Sequence, residues 1–288
     1  MLAELAALPG AVHTSLSLFL GLLVGSFLNV VIYRYPNLLK YQWSAQSSEW
    51  LNGEPYAKPA PPGIVAPGSH CGHCKAPVRA WQNIPIISYL LLRGRCASCQ
   101  QPFSIRYPLV ELLTGLVSAY VVHHFGWSVQ AVAAIALSWV LIVLTFIDFD
   151  HQLLPDDIVL PVLWLGLGLS LLPVFAEVQD SVLGAIAGYL SLWLVFQAFK
   201  LLTGKEGMGH GDFKLLALFG AWLGWQMLPQ IILVSTVVGS LVGITLMALK
   251  KASSENAIPF GPYIALAGWI AMLWGEQINQ TYLRTAGF

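Results

Sequence analysis

The chain has 288 residues, 57% of them hydrophobic and only 10% charged, with a mean hydropathy of +0.69. Such a composition excludes a soluble globular domain, and a formal net charge of zero leaves no electrostatic ground for a nucleic-acid partner. Apolar runs recur at about 20 residues, the helical length that crosses a bilayer core of roughly 30 Å, so the expected fold is an all-α polytopic membrane protein in contact with lipid.

About eight transmembrane helices are predicted, near 12–33, 108–125, 129–147, 158–176, 181–203, 213–227, 229–249 and 258–280. The first is expected to be a retained helix and not a secretory signal: only Glu4 precedes it in charge, and "GSFLNVVIYRYP" stands where a small-residue cleavage site would be. Residues 34–107, rich in Pro, Gly, Ser and charge, read as a small insert. The chain then divides into a first transmembrane helix (1–33), the insert (34–107) and a membrane-embedded helical region (108–288). No heptad, low-complexity tract or internal repeat is expected.

With the N-terminus outside, the loops at 34–107, 148–157, 204–212 and 250–257 share one face. Thirteen of the fourteen Lys and Arg residues, including Lys250 and Lys251, lie in or beside those loops; only Arg284 does not. The positive-inside rule makes that face cytoplasmic. Trp81 and Tyr107 read as interfacial anchors.

All four cysteines fall in the insert, as "CGHC" (Cys71, Cys74) and "CASC" (Cys96, Cys99), with twenty-one residues between the pairs. Two C-x2-C turns at such a distance suit a tetrahedral structural zinc site, and a small insert needs the folding energy a metal supplies. Two disulfides or a redox pair are the competing reading, disfavoured in a reducing cytoplasm. His70 and His73 are bystanders if four thiolates close the site.

Asp148 ends the third predicted helix and Asp212 opens the sixth, at one depth on one face. An ionisable residue at such a boundary is a site hypothesis. Two facing carboxylates cannot both ionise, so one serves as acid and the other as base, the arrangement of aspartic proteases. Gly207, Gly209 and Gly211 of "GMGHGDFK" would leave room for a substrate strand and permit positive φ. Lys214 is placed to neutralise a carboxylate or to anchor at the interface. Asp156 and Asp157, after Pro155, suit a helix N-terminus, and Asp150 a solvated interface charge. His151 and His210 read as polar loop residues. Asn29, Arg34 and Glu111 either line the active cavity or serve helix packing.

Taken together and in this order, "GSFLNVVIYRYP", the paired cysteines running into "NIPIISYLLLRG" and "FSIRYPLVELLTG", "DFDHQLLPD", "GHGDFK" and "PFGPY" resemble the type IV prepilin peptidases. These are the bifunctional leader peptidase/N-methyltransferases of type IV pilus and type II secretion systems. The resemblance runs over most of the chain. It implies a bacterial inner-membrane enzyme with periplasmic termini and with Asp148 and Asp212 as catalytic pair on the cytoplasmic side. Its substrates would be prepilins and pseudopilins, cut between glycine and phenylalanine and then methylated from S-adenosylmethionine. The methyl-donor residues stay unknown, because no strand-glycine-helix fingerprint is present; the resemblance makes the insert their expected place, since family members lacking it are peptidases only. Two alternatives stand beside this reading: an intramembrane protease of presenilin type, and an ion-coupled transporter using the same carboxylates as a proton relay.

Overall fold

The computed structural model describes residues 9–53, 56–249 and 259–286. Glu4, Lys250 and Lys251 lie outside them. Among the described residues the regular elements are all helical: α1 Gly10–Asn52, α2 Ile87–Leu91, α3 Arg106–Phe125, α4 Val129–His151, α5 Asp156–Ser170, α6 Val178–Thr203, α7 His210–Leu223, α8 Leu228–Ala248 and α9 Gly261–Ala286. Short 3₁₀ turns occur at Ala80–Asn83 and Trp225–Met227. The chain forms two compact units, Met1–Ala131 and Val132–Phe288.

The first unit is built on an antiparallel pair, α1 against α3, whose register follows from small residues. A Cβ on Gly21 would lie 2.6 Å from Ser118 Oγ and 2.8 Å from Gly115 Cα, and one on Gly25 2.7 Å from Glu111 Cα. Further along, Asn29 Nδ2 donates to the Tyr107 carbonyl at 3.0 Å. Close backbone approach through glycines is how helices associate where lipid offers no hydrophobic drive between them. This register matches the first twenty residues of α1 to the whole of α3. The rest of α1 runs past its partner to Gly53, whose φ of 67° ends it. The predicted end at 33 is therefore too early, and Pro36 is accommodated inside the helix. Arg34, one turn past Asn29, donates to the carbonyls of Gly63, Pro67 and Gly68 and so holds the following loop.

The second unit is organised around α7, which apart from Lys214 is buried from Asp212 to Leu223. Four glycines bring the neighbours in. Gly184 of α6 meets Gly220 backbone to backbone, Gly188 lies against Leu216 and Ala217, Gly166 of α5 lies under the Trp222 indole, and Gly268 of α9 faces the Phe219 ring. Hydrogen bonds join the same helices: Trp222 Nε1 to Val162 O at 2.8 Å and Ser181 Oγ to Ala221 O at 2.5 Å. Helix α9 also ties to α4, through Trp269 Nε1 donating to Ser138 Oγ at 3.0 Å.

All eight predicted helices are present, with different ends, but only five of the described helices have the length and apolarity of a span: α1, α3, α4, α6 and α8 with its leading 3₁₀ turn. Helices α5 and α7 have 15 and 14 residues, about 22 and 21 Å at 1.5 Å per residue. In α9 the apolar stretch stops near Trp274, before "GEQINQTYLRTA". Helix α7 is largely enclosed by other helices, so its apolar composition does not require contact with lipid.

Candidate active site and metal centre

Asp148 occupies the last turn of α4, where Gln152, at φ 51°, donates its N–H to the Asp148 carbonyl and turns the chain away. The side chain points inward and is 5% exposed. Its Oδ2 accepts the N–H of Gly261, the first residue of α9, at 3.1 Å. Only glycine fits there, since a Cβ at 261 would stand 2.6 Å from that oxygen.

Asp212 is the third residue of α7, one turn after the N-cap Gly209. It is 7% exposed, and the nearby Gly209 N–H and the positive helix end both favour negative charge there. Asp148 is near enough to act on it electrostatically. Leu154, in the turn between α4 and α5, fills the space between the two supports: its Cδ1 lies 3.1 Å from a Cβ built on Gly261, and its Cβ 2.8 Å from one built on Gly211.

Two expectations about "GMGHGDFK" need correction. His210 to Lys214 are already helix, and Gly207, Gly209 and Gly211 do not take positive φ; the left-handed glycines nearby are Gly204 and Gly224. Here the missing side chains serve proximity, with Gly207 lying against the Phe199 ring and Gly211 against Leu154. Lys214 makes a two-pronged ion pair with Asp156, Nζ lying 2.7 Å from each carboxylate oxygen. Asp156 and Asp157 open α5 after the N-cap Pro155. The His210 ring packs between Phe196 and Phe213. Asp150 is exposed.

The cysteines form the second centre. Their four sulfurs lie within 4.8 Å of one another, with Cys71 to Cys99 at 3.8 Å and Cys74 to Cys96 at 4.0 Å. A tetrahedron of thiolates about 2.3 Å from zinc has edges of about 3.8 Å, so the cluster suits that ion closely. It is the only group of three or more metal-ligating side chains among the described residues.

Each C-x2-C pair sits in the same turn, so the insert holds a short internal repeat where none was expected. Cys71 N–H donates to Ala76 O and Lys75 N–H to Cys71 O; Cys96 N–H donates to Gln101 O and Gln100 N–H to Cys96 O. Val78 with Ser69 and Phe103 with Gly94 close the two loops alike, and Lys75 and Gln100 have φ of 59° and 58°. The repeat hidden in "SHCGHCKAPV" and "GRCASCQQPF" shares only C-x2-C-x2-P. It escapes notice because the backbone, not the side chains, is what it conserves.

The N–H groups of Cys74 and His73 aim at the Cys71 sulfur and draw its pKa down to about 6. Those of Cys99 and Ser98 lower Cys96 likewise. At Cys99 the Gln101 N–H works in the same direction, but burial and the neighbouring sulfurs outweigh it and push the thiol up to about 11. A cation among the four sulfurs would favour the thiolate form of all of them. His70 turns a ring nitrogen to Gly68 O at 3.1 Å, away from a ligand role.

Within the first unit Glu111 accepts the Ile86 N–H at 2.8 Å. With the Asn29 and Arg34 bonds above, all three residues left open by the sequence are engaged in packing there.

The family described as bacterial peptidase A24 N-terminal domain matches residues 19–125, and the type IV leader peptidase family matches 135–244. Over nearly the full length, the chain is 54% identical to a prepilin leader peptidase/N-methyltransferase of Pseudomonas aeruginosa, with 94% of each chain covered. The chain belongs to the type IV leader peptidase family. Family proteins with the same description from Aeromonas hydrophila (51% identical, 98% of each chain) and Legionella pneumophila (46%, 96% of each) are similarly close. No solved structure matches this family member. The family match to 135–244 includes both aspartates but stops short of Gly261, and the match to 19–125 includes all four cysteines.

Proposed function

We propose that Asp148 and Asp212 are the acid–base pair of the peptidase reaction. The enzyme cleaves leader peptides from type IV prepilins and N-methylates the new N-terminus, as a multi-pass protein of the inner membrane. The observation that carries the assignment is the burial of two interacting carboxylates at the ends of α4 and α7, one of them held by the Gly261 N–H and the other at the positive end of its helix. In this reading the ionised partner takes a proton from water, and the resulting hydroxide attacks the scissile carbonyl. The protonated partner gives its proton to the carbonyl oxygen, and collapse of the tetrahedral adduct returns one to the leaving amine. The transporter alternative draws no support from the family relationship.

Zinc is the proposed ion, held by Cys71, Cys74, Cys96 and Cys99, where it supplies structure. S-adenosylmethionine is the proposed methyl donor; it supplies the methyl group to the freed amine, and no residue is assigned to it. The insert (34–107) is proposed as the methyltransferase part, residues 1–33 as the first crossing and 108–288 as the peptidase helices. Charge distribution supports placing insert and aspartates on the cytoplasmic side and both termini in the periplasm. Pseudopilins are proposed as further substrates. The test is leader removal from a purified prepilin by wild type, Asp148→Asn and Asp212→Asn, with methylation assayed separately on a pre-cleaved substrate. Cleavage at the wild-type rate by either variant would refute the pair.

A further inference from the structure

We infer that residues 81–91, within the polar insert, are themselves seated in the membrane interface, with acyl chains covering one side and anionic headgroups meeting the flanking arginines. Three observations within the first unit place them there.

Depth comes first. Helix α3 has 20 residues, about 30 Å, so it needs its whole length to cross the apolar core and its first turns lie at one boundary. Glu111 is the sixth residue of that helix, and side chains on a helix lean towards its N-terminus. By accepting the Ile86 N–H at 2.8 Å, Glu111 holds the 84–91 segment beside those first turns, at the level where α1 also reaches the boundary through Asn29 and Tyr107.

Exposure is the second. Trp81, Ile84, Ile87, Leu90 and Leu91 are all left uncovered by the protein, Leu90 and Leu91 at 68% and 70%. Large apolar side chains gathered over eleven residues at this depth have lipid, not water, as their solvent. Leu92, next in the chain, instead turns inward to line a small cavity with Cys96 and Phe103, so the segment has one side facing the metal module and another facing out.

Charge is the third. Arg79 precedes the segment, Arg93 and Arg95 follow it, and all three are exposed. Basic side chains bracketing an apolar stretch fit an anionic leaflet, with aliphatic stems in the acyl region and guanidinium groups at the phosphates. Seating this segment would press the cysteine module against the bilayer, where a substrate emerging from the membrane presents its N-terminus.

The experiment uses the full chain in nanodiscs of phosphatidylethanolamine and phosphatidylglycerol. With p-benzoylphenylalanine replacing Leu90 or Leu91, irradiation is expected to give phospholipid adducts at both positions and none at Gln101, an exposed control in the second cysteine turn. In unmodified protein, lipids carrying an acyl-chain diazirine should label the peptide spanning 80–92, which guards against a variant that fails to fold. Replacing phosphatidylglycerol by phosphatidylcholine should lower both yields. Labelling confined to the long helices, adducts with a second copy or with added prepilin in place of lipid, or yields indifferent to the anionic lipid would overturn the inference.

Discussion

Asp148 and Asp212 show how much a single residue depends on what the backbone offers it. A carboxylate inside a helix bundle is costly unless something favours its charge, and here Asp148 accepts the Gly261 N–H while Asp212 lies at the positive start of α7 beside the Gly209 N–H. Substituting either aspartate by Asn keeps shape while removing proton transfer, so leader cleavage should fall by about 10² to 10⁴-fold with helix content unchanged by circular dichroism. Gly261→Ala should be nearly as damaging, about 10²-fold in kcat, because a methyl 2.6 Å from the Asp148 oxygen must push the carboxylate aside. Gly168→Ala, in α5 with open space around it, should cleave as wild type. Asp148 and Asp212 were legible in the sequence as boundary charges. Gly261 was visible only as part of a motif, since its partner lies 113 residues away.

At the scale of elements, helix contacts rest on glycine, and the cysteine turns meet in four sulfurs that could hold a metal ion. Gly220→Val would force apart two backbones that touch at Gly184, and overpacking of this kind costs about 1–3 kcal/mol or more. The expected outcome is a lower melting temperature in detergent together with lost cleavage. Purified protein should carry one zinc per chain by elemental analysis, and Cys96→Ser should release it and open residues 56–105 to proteolysis, because the insert has few other means of holding its turns together. Methylation should drop with the zinc; unchanged methylation would place that activity elsewhere. The Lys214–Asp156 pair joins the starts of α7 and α5 but is partly exposed, 27% and 50% at the side chains. A double-mutant cycle with Lys214→Met and Asp156→Asn should therefore return only about 0.2–1 kcal/mol of coupling, read from denaturation midpoints.

Across the whole molecule, hydropathy identified all eight helices and left their roles unsorted. A 14-residue helix of lipid-like composition and a 20-residue span look alike in a hydropathy profile, yet α7 beyond its first turn is buried except at Lys214 while α3 presents Leu109, Leu112, Leu113 and Leu116 outward. The family matches fall one on each side of residues 126–134, a stretch that contains the division between the two compact units. Each unit thus carries its own centre, four sulfurs in one and two carboxylates in the other.

Composition, periodicity and motif order by themselves determined the membrane class, the helical fold, the family and the six side chains of the two candidate centres. Those features depend on residue type and local spacing, which a linear chain displays openly. Only tertiary structure decided that α1 continues to Asn52, that the glycines beside Asp212 serve contact and not positive φ, that Gly261 and Leu154 lie against the segments carrying the two aspartates, and that Asp156 pairs with Lys214. Each of those facts is a distance between segments far apart in sequence, and the pairing of distant segments is set by how side chains fill space between helices, which no local pattern encodes.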